Sequence, residues 1–209
     1  MPRPKHPLKG VRERILEGAF AAFLEKGFSG TTTREIAARA RVSKRELYAH
    51  FHDKQAILAA CITTKARRAL QPLELGPVHD RQSLKAALEA YGTSFQLEMS
   101  QPNVIALYRL AALEGESSPE VGRALRSFGK EATIQTLGEF VRRAQAARLL
   151  GKGDPTVVAQ QFMALVWGAS TLWLLLGAES APEKEAARRR ARGAAEALLR
   201  LFPPTGGAK

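Results

Sequence analysis

The chain has 209 residues, of which 45% are apolar, enough to build a packed core and too many for a chain disordered throughout. Lys and Arg outnumber Asp and Glu by 32 to 20, a net charge of +12, so the favoured partner is a polyanion, either nucleic acid or an acidic lipid surface. A single cysteine, Cys61, excludes an intramolecular disulfide framework and fits a reducing cytoplasm, where it reads as a small buried residue rather than a redox sensor.

The first ten residues, MPRPKHPLKG, carry three prolines and the cations Arg3, Lys5 and Lys9, with no apolar run that could act as a signal peptide. They form a basic extended arm, either a tail or a segment that reaches DNA phosphates or a minor groove. From Val11 to Lys26 the apolar residues Val11, Ile15, Leu16, Ala19, Phe20, Phe23 and Leu24 recur at helical spacing, and Gly27 supplies the stop.

The next segment, TTTREIAARARVSKRELYAHF from Thr31 to Phe51, reads as two short helices joined by a tight turn. Thr32 precedes Glu35 by three residues and Ser43 precedes Glu46 by three, so each helix opens on a capping box. Ile36, Ala37 and Ala40 give the first helix an apolar face, and Val42, Leu47 and Phe51 anchor the second from behind. Lys44, Arg45, Tyr48 and His50 are left facing outward. This is a helix-turn-helix, whose second helix enters the major groove of DNA. Lys44 and Arg45, at its amino end, are candidates for guanine O6 and N7. Thr32, Thr33, Ser43, Tyr48, His50 and Lys54 suit phosphate contacts, and Arg34 joins them on the same face. Glu46 has two readings, the capping carboxylate or an acceptor for cytosine N4. Residues 1 to 60 hold 12 basic and 6 acidic side chains, so a net of +6 falls on less than a third of the chain.

The pattern T-x-R-E-I-A-x-R-A-x-V-S-K-x-x-L-Y-x-H-F resembles the DNA-binding domain of TetR-type transcriptional regulators over roughly Val11 to Leu58, and Asp53 to Leu58 fits the opening of that family's fourth helix. Two positions depart from it. Arg41 stands where the family has a turn glycine, and a side chain held in the left-handed region there costs on the order of 1 kcal/mol. Arg45 replaces a second glycine and adds a long cation to the reading face. The resemblance implies an all-α, two-domain fold: a basic arm (1–10), a helix-turn-helix domain (11–53) and a helical ligand-binding and dimerisation domain (54–203).

Beyond Asp53, helical segments are predicted to about Leu70, then over Arg81 to Met99, Asn103 to Leu113, Pro119 to Leu150 with a break near Gly129, Pro155 to Leu176, and Glu183 to Phe202, nine helices in all. The 24 residues from Pro155 to Ala178 carry no charge and could span a bilayer by length. Gln160, Gln161, Gly168, Ser170 and Thr171 interrupt the run, which fits a helix buried on two sides better: one against its own core, one against a second subunit. The Arg188 to Arg192 cluster of the last helix reads as a solvated face, because Glu183, Glu185 and Glu196 interleave with it.

In TetR-type proteins the last two long helices pair with those of a second subunit, so the resemblance implies a homodimer on a palindromic operator, with Phe162, Trp167, Ser170, Leu172 and Leu174 as interface candidates. It also implies a small-molecule pocket among the middle helices, for which Phe95, Met99, Tyr108, Phe128, Gln161 and Trp167 are the candidate lining. His50 and His52 lie two residues apart and share no helix face, so a metal site is not expected, nor any cofactor. Zincin, nucleophile-elbow and phosphate-loop patterns are absent, and no enzymatic activity is expected. The expected function is a sequence-specific DNA-binding regulator, a repressor released by a small, mostly apolar effector. The alternative is a DNA-bound structural or assembly protein whose second half binds a protein partner, and a fully packed middle domain would favour it.

Overall fold

A computed structural model describes residues 10–204 except 75, 77 and 169; Arg3, Lys5 and Lys9 of the basic arm lie outside the described residues. All regular structure among the described residues is helical, with no strand among them. The helices are α1 (Val11–Gly30), α2 (Thr33–Ala40), α3 (Lys44–His50), α4 (Lys54–Leu70), α5 (Arg81–Met99), α6 (Pro102–Leu113), α7 (Pro119–Ala124), α8 (Ala132–Ala146), α9 (Pro155–Trp167), α10 (Ser170–Leu176) and α11 (Lys184–Leu201).

Eleven α-helices among the described residues, rather than nine, have local causes. Gly168, at φ 59° and ψ 178°, breaks the expected Pro155 to Leu176 helix into α9 and α10. The segment after Pro119 does not stop near Gly129. It passes from α7 through a π-helical stretch, Leu125–Glu131, into α8, then ends early, where Arg148 takes a positive φ of 57°. Gly27 keeps its role as the stop of α1's regular turns, at φ 77°.

Two apolar cores hold the chain together. One gathers Ile15, Phe23, Phe28, Ile36, Leu47, Ile57 and Leu58 from α1 to α4, and also takes Leu107 of α6 and Val121 of α7. The other gathers Leu84, Tyr91, Leu137, Val158, Phe162 and Leu198 from α5, α8, α9 and α11. α4 feeds both, with Ile57 to Ile62 in the first and Ala69 and Leu70 in the second. α11 lies along α5, pinned by Glu89 to Arg188 (3.0 Å) and Arg192 (3.5 Å) and by Lys85 to Glu196 (2.6 Å). These pairs draw part of the arginine cluster into ordinary packing. No helix among the described residues is long and apolar enough to cross a membrane.

Candidate nucleic-acid interface and ligand cavity

The reading head is assembled from its caps. At α3 the Ser43 hydroxyl accepts from Glu46 N (3.1 Å) and the Glu46 carboxylate accepts from Ser43 N (2.7 Å), a complete capping box. That backbone N–H holds the Glu46 pKa below the usual carboxylate range. The carboxylate is thus engaged at the helix start. At α2 only half of the expected box forms. Thr32 accepts from Glu35 N (3.2 Å), while the Glu35 carboxylate turns instead to Lys26 (2.9 Å) and Arg39 (3.1 Å). Salt bridges to two cations outcompete a single backbone donor, and Lys26, their long-range contributor, lies nine residues upstream of Glu35.

The turn between the helices is made by Arg41 in the left-handed conformation, φ 52° and ψ 49°. Arg41 N donates to Ala38 O (3.2 Å) and Val42 N to Ala37 O (3.0 Å), so the last carbonyls of α2 are satisfied in the manner of a Schellman cap. The turn forms without glycine because these bonds over-determine it.

Arg34, Ser43, Lys44, Arg45, Tyr48 and His50 all lie on the exposed side of this unit, with Thr32 exposed beside them and Thr33 half-buried. The Tyr48 and Thr33 hydroxyls are 3.2 Å apart, and the Lys44 ammonium sits 5.7 Å from the Tyr48 ring centroid. α2 and α3 therefore present hydroxyls and cations on one surface. Leu47, Ile36 and Phe51 are buried beneath it.

Lys54 behaves differently from its neighbours. Its ammonium donates to Phe28 O (2.6 Å) and Thr31 O (3.0 Å) and rests over the Phe28 ring at 4.3 Å from the centroid. Burial lowers its pKa from the ordinary lysine value. It caps the end of α1 and ties it to the first turn of α4, a role that local sequence could not reveal because the partners lie 26 and 23 residues away. Arg39, similarly, is held by Glu25 (2.6 Å) and Glu35.

The same end of α1 is clasped by the turn between α6 and α7. Phe28 N donates to Glu114 Oε2 at 3.1 Å, and the Ser29 and Ser118 hydroxyls are 2.5 Å apart. Thr31, buried, donates its hydroxyl to Gly27 O (2.7 Å) and Ala22 O (3.1 Å). Glu114 and Ser118 flank the turn between α6 and α7, whose helices line a cavity.

That cavity, of about 810 Å³, lies among α1, α4, α5, α6, α7, α8, α9 and the π-helical stretch. Four of the six expected residues line it: Phe95, Met99, Tyr108 and Trp167. Trp167 joins two of them, its ring centroid 5.5 Å from Phe95 and 6.1 Å from Tyr108 in an edge-on arrangement. Phe128 and Gln161 do not line it, and both are exposed. For Phe128 the reason is the wider π-helical turn, which puts Leu125, Arg126, Gly129 and Lys130 on the cavity wall instead. For Gln161 the error is one residue: Gln160 lines the cavity. Glu98, Lys65 and Thr133 also line it, and none had a local pattern to mark it.

The expected interface residues are divided by burial. Phe162 is 0% exposed and Leu174 9%, so both belong to the subunit's own packing and are unavailable to a partner. Of the two apolar faces read from the run, Val158, Phe162, Leu165 and Leu172 on one and Met163, Val166, Trp167 and Leu174 on the other, the structure buries neither whole: Val158, Phe162, Val166 and Leu174 are buried, while Leu165 and Leu172 are exposed. Trp167 is half-buried at the cavity, Leu172 is exposed, and the Ser170 side chain lies outside the described residues. The outward face of α9 is made by Val157, Gln161 and Leu165.

Cys61 is buried, donates weakly to Leu16 O at 3.5 Å, and burial pushes its thiol up to about 12. It is a core residue.

Comparison with known proteins fits this architecture. Residues 15–61 match the model of bacterial regulatory proteins of the tetR family, and residues 86–203 match that of the AefR-like transcriptional repressor C-terminal domain. The HTH-type transcriptional repressor BepR of Brucella suis biovar 1 (strain 1330) is 29% identical over 183 residues, covering 83% of this chain and 85% of BepR. Among solved structures, the Flavonoid-responsive Regulator FrrA is 31% identical with a TM-score of 0.71, over 94% of this chain and 98% of FrrA. A TetR transcriptional regulator from Agrobacterium tumefaciens is 25% identical with a TM-score of 0.72, over 94% and 97% of the two chains. The helix-turn-helix, the helical second half and these matches along nearly the whole length make the chain a member of the TetR family, a DNA-binding transcriptional regulator and not an enzyme.

Proposed function

We propose that this protein is a homodimeric repressor that acts in the cytoplasm, binds an inverted-repeat operator and leaves it when a small, mostly apolar effector enters the cavity. The observation that carries this reading is the cavity of about 810 Å³, within the size range of small-molecule sites and walled mostly by apolar side chains. A protein that used its second half only to hold another protein would have no need of such a void.

Lys44 and Arg45 reach base edges from the amino end of α3, and Thr32, Thr33, Arg34, Ser43, Tyr48 and His50 hold the phosphates on either side. One such contact set is too small to select a site in a genome. Two-fold symmetry doubles it, with half-sites spaced by about one helical turn or a multiple of it, about 34 Å each. Regulators of this family bind DNA as homodimers. Val157 and Leu165, on the outward face of α9, supply apolar area for that pairing, together with Leu201 of α11, which is 62% exposed. The effector acts by binding better to a dimer whose reading heads are wrongly spaced for the operator. FrrA is a flavonoid-responsive regulator, and an aromatic effector of that size suits the cavity.

Selection of bound fragments from a random DNA pool is the test. An enriched inverted repeat is expected, and Arg45→Ala should relax the preference at particular base pairs, each by about 1–3 kcal/mol. A pool that shows no enrichment rejects sequence-specific binding and favours the structural alternative.

A further inference from the structure

The cavity wall is apolar along most of its length but contains one carboxylate, Glu98, one helical turn beyond Phe95 on α5. Its Oε2 is closed off from solvent and meets no hydrogen-bond donor. A buried acceptor oxygen left without a donor is costly, and the torsion that turns a glutamate carboxylate is broad, so a small rotation presents the oxygen to a donor in the cavity. A second polar group lines the same cavity. Tyr108 is half-buried, burial raises its pKa, and its ring meets Trp167 edge-on.

A buried acceptor beside aromatic rings suits two kinds of ligand, an organic cation or a neutral aromatic hydroxyl compound. The charges of the wall separate them. Lys65, Arg126 and Lys130 line the cavity against the single lining carboxylate of Glu98, and Arg126 is paired with Glu131 at 2.7 Å. The surrounding field is therefore positive and opposes a cation. It favours a neutral or weakly acidic molecule.

Resting on the reading of this cavity as an effector site, we infer that its ligand is a flat aromatic hydroxyl compound, a phenol, whose O–H donates to the Glu98 carboxylate while its rings lie against Phe95 and Trp167. Lys65 and Lys130 add a preference for ligands bearing a further acceptor or a phenolate. Tyr108 supplies a hydroxyl that can donate to the bound oxygen. Glu98 thereby sets specificity, rejecting analogues that fill the same volume without a donor, as a buried polar group does when its partner is removed.

The test uses the full chain and three probes that share one planar body: 4-hydroxystilbene, 4-methoxystilbene and stilbene bearing a 4-trimethylammonium group. Binding is read by calorimetry and by quenching of tryptophan fluorescence. The hydroxyl probe is expected to bind about tenfold or more tightly than the methoxy probe, the loss that goes with one hydrogen bond to a charged group. It should also outbind the cation. In Glu98→Gln the preference for hydroxyl over methoxy should shrink to within about threefold while the methoxy affinity holds, since the amide keeps the shape and loses the charge. Equal binding of hydroxyl and methoxy probes to the wild-type chain, tighter binding of the cation, or no saturable binding of any probe would each overturn the inference, whatever the fate of the variant. Operator binding measured on the same preparation separates this failure from failure of the regulatory reading, because loss of probe binding with intact DNA binding leaves the latter standing.

Discussion

The carboxylate of Glu114 accepts the backbone N–H of Phe28, 86 positions earlier in the chain, at 3.1 Å, and so fastens the turn after α6 to the end of α1. Its other oxygen occupies the space where a side chain on Gly27 would have to go. The left-handed φ of 77° at Gly27 and the clasp are thus one arrangement, possible with glycine alone. Glu114→Ala leaves a buried N–H without a partner, and a loss of about 1–3 kcal/mol of stability is expected in denaturant unfolding. Gly27→Ala should cost at least as much, because left-handed strain adds to the displacement of Glu114. Wild-type stability in Glu114→Ala would reject the clasp.

At Arg41 the opposite change should help. A non-glycine residue at φ 52° carries strain of about 1 kcal/mol, so Arg41→Gly is expected to raise the melting temperature by about 2–4 °C, less whatever the added freedom of the unfolded chain removes. The capping bonds from Arg41 N and Val42 N are backbone bonds and survive the change. A melting temperature clearly below wild type would show that the arginine side chain itself holds the turn.

Lys54 can be assigned to the fold or to DNA by two readouts on one variant. With its ammonium on Phe28 O and Thr31 O, Lys54→Met should lower stability by about 1–2 kcal/mol and leave the salt dependence of operator binding unchanged. A phosphate contact would give the reverse, a salt slope smaller by about 1 with little change in melting.

On α9, Leu165→Glu places a charge on an outward residue that is 40% exposed, so the fold of a single subunit tolerates it. Sedimentation should show the variant shifted to monomer, with operator affinity falling in step. Phe162→Ala is a contrasting control, since its side chain is fully buried and the expected result is a loss of about 3–5 kcal/mol of stability. A Leu165→Glu protein that stays dimeric at micromolar concentration would move the interface elsewhere.

Acid should loosen the contact between α5 and α11. Burial pushes the Glu89 pKa up, but Arg188 and Arg192 outweigh it and hold the carboxyl below its ordinary 4.5. Because the folded value is depressed, the pair contributes stability above the unfolded pKa and loses it as pH falls through the folded one. Unfolding free energy should therefore drop steeply below about pH 4.5, and Glu89→Gln should flatten that limb while lowering stability at neutral pH. Parallel acid limbs in the two proteins would count against the pair.

What the sequence disclosed was local. Thr32, Ser43 and Glu46 cap helices a few residues away, so their spacing alone marks α2 and α3. The exposed set from Arg34 to His50 followed from the same periodicity. Residues whose partners are distant in the chain were not legible: Lys54 reads as one more surface cation until Phe28 O and Thr31 O are placed beside it, and Glu114 as an ordinary turn carboxylate. Phe162 and Leu174 sat in a run apolar on both sides, where period alone cannot say which side a core takes. Phe128 was turned outward by a π-helical register that no residue pattern announced.

α4 belongs to both cores, and its length gives that sharing a mechanical meaning. Seventeen residues make a rod of about 25 Å, so a tilt of about 5° at the Leu70 end moves the Lys54 end by about 2 Å. Lys54 in turn grips the carbonyls from which α2 sets out. Rearrangements too small to disturb packing around Ala69 and Leu70 thus arrive at the reading head as displacements comparable to the tolerance of a hydrogen bond.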